Sequence, residues 1–205
     1  MGRLTEGAIG HYDLGMLPLE LLILRRLRRR LIPHLDGNVL EIGVGTGANL
    51  PLYATSSKDE VRVAAIDIDA QMLSLARRRW ARNRRRAEVS FAQANAEHLP
   101  FASETFDHVV GSLVFCSIDN PAAALGEICR TLRPGGWLWL LEHVRGESIP
   151  LRWLTDALAE PWLRLSHSCH LNRDTAATVQ AAGLKVVCVG AHLGGVVQTI
   201  WAHKT

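Results

Sequence analysis

Three glycines spaced two apart, Gly43, Gly45 and Gly47, follow the apolar stretch Val39-Leu40-Glu41-Ile42 and precede a short helical candidate at 48–54. A strand that ends in such a turn and opens a helix offers a ligand bare backbone and unpaired helix N–H groups. Nucleotide phosphates bind in this way, and Gly43, Gly45 and Ala48 meet the looser dinucleotide pattern G-x-G-x-x-G/A. Glu41, two residues before the first glycine, argues for a different guest. A carboxylate beside the turn repels a pyrophosphate and suits a ligand that carries an ammonium group. Asp67 ends the next apolar stretch, followed by Ile68, where an acidic side chain receives ribose hydroxyls. Both kinds of guest carry a ribose, so Asp67 does not choose between them.

The elements that must hold these residues follow from hydrophobic runs and their punctuation. Runs rich in β-branched residues recur at 39–42, 61–66, 89–92, 106–113 and 137–141, with helical candidates at 48–54, 70–84 and 121–132 between them. Such alternation implies βαβ units, right-handed crossovers and a parallel sheet covered on both faces. The runs are continuously apolar, as strands buried on both sides require. Asp69 is placed to cap the helix from Ala70, and Asn120-Pro121 supplies a cap and an N1 proline for the next. Arg133-Pro134-Gly135-Gly136 then stops that helix and turns the chain into Trp137. A helix over 151–165 follows, and Asn172 or Asp174 caps another that ends at Gly183. Two closing strands, 184–189 and 196–203, meet at Gly194-Gly195. The expected fold class is α/β: a doubly wound, mostly parallel seven-stranded sheet ending in an antiparallel hairpin. A chain of 205 residues fits one such domain over 37–205, preceded by a helical lid or interfacial segment over 1–36.

One further motif, Asn95-Ala96-Glu97-His98-Leu99-Pro100-Phe101, follows the third strand, and Phe106-Asp107 opens the fourth. With these residues in place, the chain from about 38 to 144 resembles the class I S-adenosylmethionine-dependent methyltransferases of the ubiquinone and menaquinone C-methyltransferase superfamily. The resemblance implies a Rossmann-like fold, S-adenosylmethionine as cofactor with S-adenosylhomocysteine as product, and no metal. Carried over by position, it implies that Gly43, Gly45, Thr46 and Gly47 line the methionine and ribose portions, with Glu41 beside them. Asp67 would hold the ribose hydroxyls next to Ile68, Asn95 and Ala96 the adenine edge, and Ser112 and Leu113 the pocket floor. Tyr12 lies where related enzymes fold a lid over the cofactor. The family often has an aspartate where Asn95 stands; an amide both donates and accepts, so adenine recognition is expected to survive.

A closer resemblance is carried by Ser112-Leu113-Val114-Phe115-Cys116-Ser117-Ile118, Leu132-Arg133-Pro134-Gly135-Gly136, Leu141-Glu142-His143-Val144 and Cys169-His170-Leu171-Asn172-Arg173-Asp174-Thr175. These segments are similar to the methyltransferase-like group that includes membrane-associated alkyl-thiol S-methyltransferases. The implied reaction is methyl transfer to a small, fairly apolar acceptor, with an alkyl thiol ahead of a phospholipid amine or a quinone carbon. A nicotinamide-dependent oxidoreductase is the alternative from another class, because the glycine turn fits both cofactors.

A thiolate is already a strong nucleophile, so such an enzyme has mainly to align it and exclude water. His143 and His170 are the candidate bases, and Cys116 is the candidate wall of the acceptor pocket. Each also has a plainer reading: a satisfied polar residue at a strand end for His143 and Glu142, a small hydrophobe for Cys116. His167-x-Cys169-His170 resembles a set of metal ligands, but adjacent Cys and His side chains point apart in most backbones; a lid over the acceptor is the other candidate role. Trp153 and Trp162, nine apart among leucines, are expected in the core.

The net charge is +3, and the arginines concentrate at Arg25 to Arg30 and Arg77 to Arg86, both expected to be solvated helical faces. Neither run has the aromatic platforms or reading motif of a nucleic-acid binder, and no nucleic-acid partner is expected. Residues 14–32 join leucines to arginines. That pattern fits either an interfacial helix drawn to anionic lipid or a helix that caps the cofactor cleft. No stretch reaches the roughly 20 apolar residues of a membrane span. The apolar segment precedes its arginines, the wrong order for a secretory signal. The four cysteines, Cys116, Cys129, Cys169 and Cys188, are widely spaced, which favours reduced thiols. A cytoplasmic location follows as the expectation, with peripheral contact to the inner face of a membrane through residues 14–32 as a further one.

Overall fold

The computed structural model describes residues 23–55, 61–82, 87–146, 148–166 and 169–205, with the side chains of 165 and 166 also left aside. Tyr12 and residues 14–22 of the amphipathic segment lie outside the described residues.

Seven strands, β1 (Asn38–Ile42), β2 (Arg62–Asp67), β3 (Glu88–Gln93), β4 (Phe106–Ser112), β5 (Leu132–His143), β6 (Lys185–His192) and β7 (Val197–His203), form one sheet in the order β3-β2-β1-β4-β5-β7-β6. The strands β1 to β5 run parallel, while β7 pairs antiparallel with both β5 and β6. This is the expected doubly wound sheet with an antiparallel end. The chain winds outward from β1 to β3 and then crosses back to β4, so the strand order reverses between β1 and β4. Ligands of open α/β sheets bind at the carboxyl ends of the strands at such a reversal.

The helices are α1 (Arg25–Leu31), α2 (Leu50–Tyr53), α3 (Ala70–Ala81), α4 (Pro121–Thr131), α5 (Ile149–Ser166) and α6 (Thr175–Ala181). The central strands send apolar side chains to both faces, as buried parallel strands must. One core joins Leu40, Ile66 and Val109 of the sheet to Leu125 and Ile128 of α4 and Val179 of α6. The other joins Val39, Val63 and Val110 to Tyr53 of α2 and to Leu73, Ala76 and Trp80 of α3. Helix starts are fixed by side-chain caps: Asp69 accepts from Gln71 N at 2.7 Å, and Asn120 from Ala123 N at 3.1 Å. Asp174 rather than Asn172 caps α6, accepting from Ala177 N at 3.0 Å.

Several expectations are corrected. β5 begins at Leu132, not Trp137: Leu132 pairs with Phe106, and an irregularity between Phe106 and His108 absorbs the glycine turn. α2 is shorter than 48–54 because the preceding turn consumes its first residues. β3 and β6 lie at the sheet edges and are partly exposed rather than buried on both faces. Trp153 and Trp162 are not core: they are 73% and 38% exposed. The sheet faces are already filled by other helices, so α5 is held mainly at its start, where Leu151 seats against Gly146 and Gly194. Nor is the arginine run wholly solvated, since Arg28 is buried. Leu24 and Leu27 pack with Leu113, Leu141 and Val197, placing this segment over the carboxyl ends of β5 and the start of β7. No helix among the described residues is long and apolar enough to cross a membrane.

Candidate functional site

Gly43, Gly45 and Gly47 all adopt left-handed φ angles of +63°, +54° and +81°, and each has its own reason for lacking a side chain. A Cβ on Gly43 would lie 2.3 Å from Val114 Cγ2, and one on Gly47 would lie 3.1 Å from Ala76 Cα in α3. These two glycines let protein pack against the turn. A Cβ on Gly45 would meet nothing nearer than Gly43 O at 4.0 Å, so Gly45 leaves bare backbone facing open space.

Asp67, at the end of β2, accepts from Gly45 N at 2.8 Å through one oxygen and from Asp69 N at 2.9 Å through the other. Burial raises its pKa, against the pull of those backbone donors. A carboxylate oxygen has more than one lone pair, so both retain capacity for hydroxyl donors. Ile68 beside it is 43% exposed, an apolar platform where a flat base would rest. The Asn95 side chain is more restricted than expected. Its Oδ1 accepts from Glu97 N at 2.9 Å and shapes the turn to His98, which leaves its Nδ2 as the group to offer a ligand. Ala96 is buried beneath this turn, and Thr46 Oγ1 accepts from Arg79 at 3.3 Å.

Beneath the glycine turn lies a buried polar knot. Asn49 Nδ2 donates to Glu41 Oε1 at 3.1 Å and to Ser112 Oγ at 3.2 Å, tying the ends of β1 and β4 to the turn. Burial drives the Glu41 pKa up to about 7, opposed by the Tyr53 hydroxyl, Asn49 and the charge of Arg28. The Tyr53 hydroxyl lies close enough to act on Glu41 but outside hydrogen-bond geometry, and burial raises its own pKa. Glu41 Oε2 and Asn49 Oδ1 are buried without a hydrogen-bond partner. Glu41 therefore sits behind the turn as an enclosed carboxyl, not beside it as the open anion expected. The orphaned oxygens, the bare Gly45 backbone, the Asp67 carboxylate and the Ile68 platform fit an adenosyl ligand with an ammonium group.

A second cluster adjoins the first through Val114, whose side chain fills the space above Gly43. Leu113 holds a left-handed φ of +56°, a costly conformation for a branched residue that marks a constrained loop. Its N–H donates to Leu141 O at 2.7 Å. The fully buried Glu142 of β5 accepts from Val114 N at 3.1 Å, and the N–H groups of Phe115 and Cys116 also face it. Burial raises its pKa to about 7. The segment 169–174 closes over this loop: His170 N donates to Cys116 O at 2.8 Å, and the Arg173 guanidinium to the carbonyls of Phe115 and Ile118.

The thiols of Cys116 and Cys169 meet at this closure. Cys169 is stabilised as a thiolate, foremost by a hydrogen bond with Cys116, then by His143 and Trp162, against the cost of burial. Cys116 is pushed the other way by that same contact and by burial. The contact and its surroundings favour the negative charge on the outer sulfur, Cys169, over the buried one. The sequence candidates Cys116 and His143 thus converge, and His170 joins them through its backbone. Sequence reasoning missed Cys169 as a charged partner, Asn49 as the link under the turn, and Arg173 as the clamp. Asn49 follows Gly47 by only two residues, but a single buried amide leaves no periodic signal. A hollow of roughly 300 Å³ at the opposite edge, lined by Asn38, Arg62, Glu88 and Thr105, holds none of this chemistry.

Residues 40–140 match the family described as a methyltransferase domain. The chain belongs to the class I methyltransferases. It is 33% identical to rat thiol S-methyltransferase TMT1B over 146 residues, 70% of this chain and 58% of that protein. It is 35% identical to the phosphatidylethanolamine N-methyltransferase of Cereibacter sphaeroides, over 64% of each. It is 34% identical to the ubiquinone/menaquinone biosynthesis C-methyltransferase UbiE of Coxiella burnetii, over 58% of this chain and 48% of that one. The matches thus span about half to two thirds of those relatives' lengths. The fold is shared with a SAM-dependent methyltransferase from Aquifex aeolicus, at a TM-score of 0.71 and 19% identity, over 99% of this chain and 100% of that one. This methyltransferase family and topology stand against the nicotinamide oxidoreductase alternative.

Proposed function

We propose that this methyltransferase transfers the methyl group of S-adenosylmethionine to the sulfur of a small, apolar thiol. Bound at the glycine turn, the cofactor would supply an electrophilic methyl on a sulfonium. Gly45 and Asp67 would hold its ribose and methionine portions, Ile68 and Asn95 Nδ2 its base, and the Glu41 knot would face its ammonium side.

One observation carries the choice of a thiol. The donors that stabilise Cys169 as a thiolate, His143, the Trp162 indole and the nearby Arg173, would stabilise an acceptor's sulfur in the same way. A sulfur held as its anion needs no stronger base, only alignment and the exclusion of water. His143 would take the thiol proton. The half-buried Leu113 and Val114 offer apolar surface that suits an alkyl chain, and the similarity to a thiol S-methyltransferase agrees.

A phospholipid amine is the second reading, favoured by the similarity to a phosphatidylethanolamine N-methyltransferase. Peripheral contact with an anionic bilayer through residues 14–32 belongs to that reading. A competition assay separates the two, with labelled S-adenosylmethionine, an alkyl thiol and phosphatidylethanolamine vesicles in one reaction. The expected label is in the thioether. Label confined to the lipid would replace the thiol reading with the amine reading.

A further inference from the structure

We propose that Cys169 and Cys116 form a dithiol couple that reacts with small-molecule disulfides, Cys169 attacking and Cys116 resolving. The proposal does not depend on the identity of the methyl acceptor.

Four observations carry it. The two thiols are in contact, on segments 53 residues apart in the chain. The hydrogen bond from His170 N to Cys116 O, 2.8 Å long, sets the two backbones side by side. That bond ties Cys116 to the residue next to Cys169, so the chain itself holds the two cysteines as neighbours, as a disulfide requires. The two sulfurs also differ in access. Cys169 is partly exposed, whereas Cys116 is buried at 3% exposure, so an incoming molecule reaches Cys169 first. Finally, the surroundings activate the outer sulfur: His143, Trp162 and Cys116 hydrogen-bond it, and Arg173 lies near both sulfurs. An accessible thiolate with a protonated partner behind it is the arrangement of an attacking and a resolving cysteine.

The Cys169 thiolate attacks one sulfur of R–S–S–R′, forming Cys169–S–S–R and expelling R′–S⁻, which takes a proton from water. Cys116 then gives up its proton to His143 or water, attacks the Cys169 sulfur and expels R–S⁻. The two cysteines lose two electrons and become a disulfide, and the small disulfide becomes two thiols. A small thiol in excess reverses both steps. The bridge would fasten the 169–174 segment to the loop after β4, across the acceptor side, leaving the glycine turn untouched. Methyl transfer would stop while cofactor binding persisted.

Oxidised glutathione is the probe. Reduced protein is incubated with it at about pH 5, quenched with acid and read by intact mass and peptide mapping. Wild type is expected to lose two hydrogens, with Cys116 and Cys169 joined in one peptide pair and no lasting glutathionyl group. Cys116→Ser and, as a second variant, Cys116→Ala are expected to retain one glutathionyl group on Cys169. At this pH an ordinary thiol is almost wholly protonated, and thiolate population outweighs the lower nucleophilicity of a low-pKa sulfur. Cys169 should therefore react at least about fivefold faster than the exposed Cys188. First reaction at Cys188 or Cys129, a lasting glutathionyl group on wild-type Cys169, or no mass change would each overturn the proposal.

Discussion

Asp67 fixes the glycine turn through Gly45 N, and in the proposed function the same carboxylate would offer lone pairs to a ribose. Asp67→Ala removes both at once, so S-adenosylhomocysteine affinity should fall by about 2–3 kcal/mol, some thirtyfold or more. Titration calorimetry reads this directly, and unchanged affinity would remove Asp67 from the site. Glu41 makes a different statement, about pH. Burial raises its pKa from 4.5 to about 7, so the folded state holds that proton more tightly than the unfolded chain does. The stability this contributes is full below about pH 4.5 and is lost as pH rises through about 7, by at most about 3 kcal/mol. Glu41→Gln keeps the shape and cannot ionise. In urea titrations of the ligand-free protein, the variant should therefore gain on wild type between pH 5 and 8, and parallel curves would contradict the buried carboxyl. Glu142 carries the same raised pKa and should add a change of the same sign.

The turn, the loop after β4 and the 169–174 segment act as one assembly because each closes on the next. Val114 fills the space above Gly43, Glu142 gathers the loop's N–H groups, and Arg173 fastens two of its carbonyls. Gly43→Ala should cost at least 1–3 kcal/mol of stability, since the new Cβ meets Val114 at a left-handed φ. Thermal denaturation measures it, and an unchanged midpoint would mean the loop moves freely. Arg173→Ala loosens the acceptor side only: the acceptor KM should rise several-fold while S-adenosylhomocysteine affinity holds. Loss of both together would make Arg173 a general structural support. At this scale the sequence was readable where a local rule decides. Asp69 and Asn120 cap where they should, and Gly194-Gly195 joins the closing strands. The rule failed where partners distant in the chain decide. Trp153 and Trp162 looked like core because leucines flank them, yet both sheet faces were already filled by other helices. The charge on Cys169 depends on Cys116 and His143, and neither is near it in sequence.

Taken whole, the fold brings the glycine turn, Asp67, Glu142 and His143 to the carboxyl end of a single sheet, which the proposed function divides into a cofactor side and an acceptor side. The reversal of strand order between β1 and β4 opens the cleft, β2 supplies Asp67, and β5 supplies Glu142 and His143. The antiparallel β7, inserted between β5 and β6, lets α1 pack over the carboxyl end of β5. This architecture was legible from the alternation of apolar runs, because buried parallel strands announce themselves by continuous hydrophobicity. The division of labour at the edge was not, because it arises from loops whose contacts cross the whole chain. A glycine turn that presents a methyl donor to a sulfur acceptor should pass label from S-adenosylmethionine into an alkyl thiol, followed with wild type and Asp67→Ala side by side. Wild type should yield a labelled S-methyl thioether, and Asp67→Ala should do so at a rate at least about tenfold lower at limiting cofactor. A wild type that binds S-adenosylmethionine but never labels a thiol, or an Asp67→Ala variant that labels it at full rate, would contradict the proposed function.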